Sequence, residues 1–264
     1  MQTANYKTII YKEDGQVARI FLNRREVHNA FNLTMIRELA DAFQKAASNP
    51  ALRVVVLSGT GKSFCAGADL NWMREVIRYS FDQNLAESLE LSELDYLIYT
   101  LPKPTIARVN GAVIGGGTGF LCACDIAVAS EEAKFGLSEV KIGLVPAAIS
   151  PYVWRRIGES EARYYFLTGE RMGARRARDI GLVNEVVPAD KLDQKVDEVV
   201  AMLLSSGPEA MARCKELLQR MPVMTFEEAK RYTAQMIAEL RVSGEGQEGM
   251  AAFLEKRKPK WVKQ

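Results

Sequence analysis

Two glycine-rich segments have the composition of sites where backbone N–H groups bind anionic oxygen. Residues 59–69 and 111–119 each follow a predicted strand and precede a predicted helix. Glycine lets a ligand approach the backbone closely, and the first turn of a helix has free N–H groups at the positive end of its dipole. Tight helix packing would explain one such segment without a ligand. Two segments at equivalent junctions favour a site that stabilises negative charge on oxygen.

Neither segment matches the common nucleotide-binding loops. A phosphate loop ending in Gly61-Lys62-Ser63 needs an earlier glycine where this chain has Val56. The glycine run at 115–119 also departs from the dinucleotide pattern, because Phe120 stands three residues beyond Gly117. We therefore expect neither a nucleoside triphosphatase nor a dinucleotide site.

The histidine and cysteine content argues against nucleophilic triads and metal centres. His28 is the only histidine, and a Ser-His-Asp or Cys-His site would have to use it. A single loop histidine is more often a surface residue or a ligand contact. The cysteines lack paired metal-ligand spacing, so we expect reduced, buried thiols and no metal. They are Cys65, Cys122, Cys124 and Cys214.

The composition is that of an ordinary globular protein. The 264 residues are 48% hydrophobic and 26% charged, enough for a substantial core. A net charge of +2 gives no broad field for nucleic acid or an anionic membrane. The start of the chain lacks the pattern of a secretory leader, and no apolar run approaches the ~20 residues of a membrane span. We expect a cytoplasmic protein.

Hydrophobic periodicity predicts alternating strands and helices. An opening hairpin is followed by helix–strand cycles, which favour a mainly parallel sheet built from right-handed crossovers. The predicted strands are 8–11, 17–22, 54–57, 105–109, 125–129 and 182–187, and the predicted helices are 36–48 and 81–100.

Beyond Pro188 the pattern becomes helical. We predict a core of residues 1–188 and a helical region of residues 189–264, in which Thr225 and Glu228 form a capping box. The last helix should end near Pro259. It carries Met250, Phe253 and Leu254 on one side, so it should pack on the body of the protein or on another subunit.

Two segments resemble the signature regions of the crotonase (enoyl-CoA hydratase/isomerase) family in order and spacing. They are residues 63–70 (SFCAGADL) and 109–117 (VNGAVIGGG), and weaker similarity covers nearly the whole chain. The resemblance implies an α/β fold: repeated ββα units, two roughly perpendicular sheets and a C-terminal helical trimerisation region. It also implies a homo-trimer or a dimer of trimers.

The resemblance assigns roles to particular residues. The N–H groups of Ala68 and Gly116 would form an oxyanion hole for a thioester enolate. Phe253 and Lys256 would reach the nucleotide end of CoA, often from a neighbouring subunit. The other expected CoA-binding residues are Glu26, His28, Ala30, Ala66, Asp69, Leu70 and Asn71.

The sequence departs from the family at one acid–base position. Hydratases of this family commonly use two glutamates, and here Glu139 matches the second while Gly119 occupies the first. Without the resemblance, Glu139 would be read as a solvated carboxylate. Ile149 and Tyr152 add bulk near the acyl pocket, as in bacterial hydratases of methylglutaconyl-CoA and related branched, carboxylated substrates. A substrate carboxylate would then position water in the space left by Gly119.

The resemblance predicts an enoyl-CoA hydratase that needs no metal or redox cofactor, because CoA is part of the substrate. A Δ3–Δ2 enoyl-CoA isomerase is the alternative within the same fold, since one glutamate can move a proton between two carbons. An RNA-binding relative without activity is the alternative from another class. Its support is a basic tail formed by Lys256, Arg257, Lys258, Lys260 and Lys263.

Overall fold

A computed structural model describes residues 6–262, so the expectation about the start of the chain lies outside the described residues. The strands are β1 Ile9–Asp14, β2 Val17–Leu22, β3 Val54–Gly59, β4 Ser63–Cys65, β5 Thr105–Val109, β6 Ala112–Ile114, β7 Ile126–Ser130, β8 Lys134–Gly136, β9 Arg171–Gly173 and β10 Glu185–Val187. The helices are α1 Leu33–Ser48, α2 Leu70–Val76, α3 Phe81–Thr100, α4 Gly117–Ala123, α5 Ser150–Thr168, α6 Ala174–Asp179, α7 Leu192–Ser205, α8 Pro208–Arg220, α9 Phe226–Val242 and α10 Gly244–Leu254.

The larger sheet has six strands in the order β1-β2-β3-β5-β7-β10. The β1–β2 pair is the predicted antiparallel hairpin, and the other neighbours are parallel. Every residue of β3 is buried, as its continuous apolar sequence indicates for a strand covered on both faces. The prediction of a mainly parallel α/β sheet is confirmed.

The smaller sheet has the order β4-β6-β8-β9, with β4, β6 and β8 parallel. Each of its strands has three residues, too few for a period-two pattern to reveal them in the sequence. The two-sheet α/β architecture implied by the resemblance is confirmed. This sheet carries the segments that follow β4 and β6.

Helices cover both faces of the larger sheet. One face packs against α1 and its neighbours in the main core, which includes Met35, Leu39 and Phe43. The opposite face packs against α7. The residues of this second core are Val17, Val54, Val56, Ile106, Val128, Leu192, Val196, Val199 and Val200. The boundary at residue 188 between the core and the helical region stays a prediction. Helix α7, which follows this boundary, packs on the sheet through this apolar layer.

The C-terminal helices confirm the capping box of Thr225 and Glu228. The predicted end near Pro259 is wrong, because α10 ends at Leu254 and Lys256 adopts a left-handed conformation with φ 54°. Phe253 and Leu254 are exposed in the single chain. Cys214 corrects another expectation, since it lies on the exposed side of α8 while the other three cysteines are buried. Within residues 6–262, no helix has the length and apolar character needed to cross a membrane.

Candidate active site

The two glycine-rich segments meet at one edge of the smaller sheet. β4 and β6 are parallel neighbours, so the segments that follow them leave the sheet at the same end. The two segments touch, because a Cβ atom on Gly67 would lie 3.0 Å from the carbonyl oxygen of Ile114. One segment leads into α2 and the other into α4. The topology therefore brings Ala68 and Gly116, far apart in sequence, to the same edge.

The backbone N–H groups of Ala68 and Gly116 are free to bind a ligand. Among residues 6–262, neither donates a hydrogen bond to a protein acceptor. Their neighbours are bonded: the N–H of Asp69 donates to the carbonyl of Phe31 at 2.8 Å, and that of Gly115 donates to the carbonyl of Gly136 at 2.8 Å. The arrangement can therefore supply two donors to one anionic oxygen.

Each glycine of the run at 115–117 faces a different neighbour. A Cβ atom on Gly115 would lie 3.2 Å from Oε1 of Glu139, and one on Gly116 would lie 2.6 Å from the ring of Phe31. A Cβ atom on Gly117 would lie 2.7 Å from the Cβ of Cys65. Gly115 also has φ +52°, which favours glycine. Close packing explains the absence of side chains at all three positions.

Phe31 links the two halves of the candidate oxyanion hole. Its ring packs on Gly116, while its backbone forms a parallel bridge with Ala68. The bridge bonds Phe31 to Gly67 and Asp69 on one side, so the N–H of Ala68 points to the other. A shift of Phe31 would therefore disturb both donors together.

We predict that Gly116→Ala lowers kcat by roughly 10-fold or more, because the new methyl group displaces the Phe31 ring and with it Ala68. Gly173→Ala is the matched control, since its Cβ atom would meet only the Nζ of Lys134, at 3.9 Å. Steady-state kinetics and thermal unfolding should be measured on both variants. Equal activity of the two variants would contradict the role of Phe31.

Glu139 places a carboxyl group beside this site. It begins a 3-10 turn at Glu139–Ile142 and is half-buried, and its Oε2 has no hydrogen-bond partner among the described residues. Burial raises the pKa of Glu139, and a hydrogen bond from its own backbone N–H opposes that shift in part. A carboxyl group with a raised pKa can both give and take a proton at moderate pH.

Gly119 lies on α4, one turn after Gly116. A Cβ atom there would collide with the side chain of Ile149 and would lie 2.9 Å from Oδ2 of Asp95. The expectation that Gly119 leaves space for water is therefore wrong, because Ile149 fills it. Tyr152 is also buried nearby in α5, and burial followed by the charge of Asp95 raises its pKa to about 12.

Asp95 is a feature of this region that sequence reasoning missed. It lies on α3, is fully buried, and has no hydrogen-bond partner for either carboxyl oxygen among the described residues. Burial raises its pKa well above the ordinary value. Its position between Leu94 and Ile98 on the buried side of the helix was the available signal, since a carboxylate there interrupts an apolar stripe.

Because the carboxyl of Asp95 is buried, we predict that the difference in stability between wild type and Asp95→Asn depends on pH. Between about pH 4, near the unfolded pKa, and the raised folded pKa, the unfolded chain releases a proton that the folded protein keeps. The stability of the wild type therefore falls as pH rises through this range, and Asp95→Asn removes that loss. We expect the Tm of Asp95→Asn minus that of wild type to be more positive at about pH 7 than at about pH 4. A difference independent of pH would contradict this assignment.

The segment before α1 packs against the Ala66 segment. Arg25–Val27 forms a 3-10 turn, and His28 then adopts a left-handed conformation. The N–H of Ala66 donates to the carbonyl of His28 at 3.1 Å, and His28 Nδ1 lies 3.1 Å from Ser63 Oγ. Glu26 and His28 are exposed. Both side chains can therefore contact a ligand that runs along this edge.

The other predicted CoA-binding residues divide into structural and exposed positions. Asp69 caps α2, accepting from the N–H of Asn71 at 2.6 Å, and pairs with Arg24 at 2.7 Å. Burial raises its pKa, but hydrogen bonds from the Asn71 N–H and Arg24 outweigh burial and hold it below the ordinary value. Ala30 is buried, and its carbonyl accepts from Arg24. Leu70 and Asn71 are exposed at the start of α2.

Helix α10 packs mainly against α8 and α9. This packing does not bring Phe253 and Lys256 to the edge that carries Ala68 and Gly116. Both residues are exposed. Their contact with CoA remains a prediction that involves another subunit. In the basic tail, Arg257 pairs with Glu248 at 2.6 Å, and Lys263 lies outside the described residues.

A cavity of about 600 Å³ opens beside Ala68. Its walls come from α2, α3 and the turn after Glu139, and Trp72 Nε1–H donates to Glu87 at 2.7 Å inside it. The described residues that line it include no Lys or Arg. They are Ala68, Trp72, Met73, Val76, Ile77, Asn84, Glu87, Ser88, Leu91, Ile142 and Leu144. This mostly apolar cavity can hold a hydrocarbon group next to the free N–H donors.

Comparison with known proteins agrees with this arrangement. Residues 12–264 match the family model described as enoyl-CoA hydratase/isomerase. A hydroxycinnamoyl-CoA hydratase-lyase of Pseudomonas fluorescens is 34% identical over 95% of this chain and 93% of its own length. A trans-2-decenoyl-[acyl-carrier-protein] isomerase of Streptococcus mutans is 29% identical over 98% of this chain and 99% of its own length.

Solved structures share the whole fold. The crystal structure of an enoyl-CoA hydratase from Shewanella pealeana has a TM-score of 0.94 and 42% identity, and the match covers 97% of this chain and 96% of the other. The similarity therefore includes both sheets and the C-terminal helices.

Proposed function

This chain belongs to the enoyl-CoA hydratase/isomerase family, and we propose that it reversibly adds water to 2-enoyl-CoA thioesters through an enolate. The observation that carries the proposal is the pair of free N–H groups, of Ala68 and Gly116, at one edge beside the carboxyl of Glu139. Bond changes next to a thioester carbonyl put negative charge on its oxygen, which two aimed donors stabilise. Each donor is worth about 2.7–4 kcal/mol in comparable sites.

Glu139 is the proposed proton donor to the substrate. Water forms a bond to the β carbon and loses one proton, the electron pair of the double bond moves toward the thioester oxygen, and the α carbon takes a proton from Glu139. The proton that water loses replaces the one that Glu139 gives, so the protein is unchanged over the cycle. In the reverse direction, Glu139 removes the α proton. Its raised pKa supports both roles, because the protonated and ionised forms are then closer in free energy near neutral pH. The reaction needs no cofactor besides the CoA of the substrate.

The lining of the cavity favours a substrate whose acyl group is apolar and either branched or of medium length. The lining is mostly hydrocarbon, and Glu87 is the one charged side chain among the described residues that line the cavity. A carboxylated group such as methylglutaconyl would bring a second negative charge toward Glu87 without a lining Lys or Arg to offset it. An apolar enoyl-CoA is therefore the better-supported substrate, and a methylglutaconyl thioester is the matched comparison.

Isomerisation of a 3-enoyl-CoA to a 2-enoyl-CoA is the second candidate. It is favoured by Gly119, because a single carboxyl, that of Glu139, can carry a proton from the α carbon to the γ carbon without orienting water. The oxyanion hole would hold the same enolate. The two reactions differ in whether oxygen from water enters the product.

Oxygen-18 water distinguishes these reactions. Purified protein should be incubated with apolar 2-enoyl-CoA, methylglutaconyl-CoA and 3-enoyl-CoA, and the products analysed by mass spectrometry. The proposal expects a 3-hydroxyacyl-CoA that carries the heavy oxygen, formed fastest from the apolar substrate. Conversion of 3-enoyl-CoA to 2-enoyl-CoA without heavy oxygen would establish isomerisation instead. Salt-dependent RNA retention with no turnover of any thioester would favour the RNA-binding alternative.

We also propose assembly as a trimer or a dimer of trimers. The exposed apolar side chains near the C-terminus support it, since Val242, Phe253 and Leu254 are each more than three-quarters exposed, at 79%, 82% and 78%. Sedimentation velocity on active protein tests the proposal. A fully active monomer would contradict it.

A further inference from the structure

We propose that Asp95 of α3 is a second acid–base residue of this site. Its carboxyl group lies beside Gly119, the position on α4 that has no carboxyl side chain of its own. The inference rests on the proposed hydration, which needs a group to accept a proton from the attacking water. It assigns that role to a residue outside both glycine-rich segments.

The geometry places the Asp95 carboxyl close to the candidate oxyanion hole. Its Oδ2 lies 2.9 Å from the position that a Cβ atom on Gly119 would occupy. The N–H of Gly119 donates to the carbonyl of Gly116 at 2.9 Å, so the two glycines are one helical turn apart. Asp95 therefore delivers an oxygen where a side chain at position 119 would begin.

The energetic cost of Asp95 argues against a purely structural role. A buried carboxyl without hydrogen-bond partners destabilises a fold, and an apolar side chain of similar shape would pack there at lower cost. Burial alone raises the pKa of Asp95, and the described neighbours whose own pKa values its charge raises are Cys122 of α4 and Tyr152 of α5, neither of them a cation. Unpartnered buried polar groups of this kind are concentrated at functional sites.

The proposed step uses one proton that the carboxyl groups of Asp95 and Glu139 share. In the free protein the proton is on Asp95, and it moves to Glu139 when substrate and water bind. Water then forms a bond to the β carbon and gives a proton to ionised Asp95, while protonated Glu139 gives a proton to the α carbon. The product therefore leaves the proton on Asp95 and Glu139 ionised, as in the free protein. Ile149 packs against the same position on Gly119, so the step requires its side chain to move when substrate and water bind.

Two reactions separate this role from a structural one. Hydration of a 2-enoyl-CoA needs both carboxyl groups, whereas exchange of the α protons of a saturated acyl-CoA in deuterated water needs only Glu139 and the oxyanion hole. Asp95→Asn should lower the rate of hydration by roughly 100-fold and leave α-proton exchange within about 3-fold. Asp82→Asn, on the exposed side of α3, is the matched control and should change neither rate.

Three outcomes would overturn the proposal. They are hydration by Asp95→Asn within about 3-fold of wild type, a parallel fall of both reactions in the folded variant, and full hydration by Asp95→Leu. Asp95→Leu has a similar shape and no polar atom, so it carries the comparison if Asp95→Asn does not fold. A wild type that exchanges α protons but adds no water would instead contradict the proposed function itself.

Discussion

Replacing Glu139 by Gln is expected to lower turnover by roughly 100-fold or more, while CoA-ester affinity changes by no more than a few fold. Gln keeps the shape of the side chain beside Gly115 but cannot exchange a proton. The oxyanion-hole donors belong to the backbone, so ground-state binding should survive. Steady-state kinetics give kcat, and binding of a saturated acyl-CoA measured by calorimetry gives the affinity.

The pH dependence adds a second test of Glu139. A proton donor must be protonated, so the rate of hydration should fall as pH rises through the raised pKa of Glu139. Glu131→Gln, at an exposed position, is the control and should keep both the rate and the pH profile. If Glu139→Gln retains more than about half of wild-type activity, another group is the acid–base residue.

Replacing Val196 by Asp is expected to destabilise the protein by several kcal/mol, on the order of 3 or more. Val196 is fully buried where α7 covers the larger sheet, against Val54, Ile106 and Val128. The described residues of this layer are apolar, and the nearby cations Arg19 and Arg108 already pair with Asp197 and Asp193 of α7. The measurement is urea-induced unfolding, or recovery of soluble protein if the variant no longer folds.

Met202→Asp is the matched control for this change. It adds the same carboxylate to the same helix, but at a side chain that is 59% exposed, so a change within about 0.5 kcal/mol is expected. If Val196→Asp were as stable as Met202→Asp, α7 would be a detachable appendage rather than the cover of the sheet. The contrast therefore tests how the helical region is joined to the core.

Elements with strong local boundary signals were predictable from the sequence. α3 and β5 have the predicted bounds, because Ser80 caps the helix and Pro102 and Pro104 separate it from the strand. The predicted strand at 182–187 begins only at Glu185. Leu182 and Val183 are apolar because they are buried in the turn after α6, and an apolar run alone does not separate a strand from a buried turn.

The candidate site was predictable in part. The segments around Ala68 and Gly116 were visible as glycine-rich junctions, and the resemblance indicated that their N–H groups form the oxyanion hole. Phe31 and Asp95 were not found, because their significance comes from contacts with Gly116, just before α4, and with Gly119 on α4. Such contacts depend on how α1, α3 and α4 pack, which no local pattern specifies.

The site's two functions come from different parts of the chain, with consequences for directed evolution. The donors for charge stabilisation are backbone groups at the edge of the smaller sheet, whereas the acyl cavity is lined by side chains of α2, α3 and the turn that contains Ile142. A focused library at Met73, Val76 and Leu91 could therefore vary substrate range without replacing a donor. Variants selected for activity on new acyl groups would differ at these side chains and keep the same backbone N–H donors.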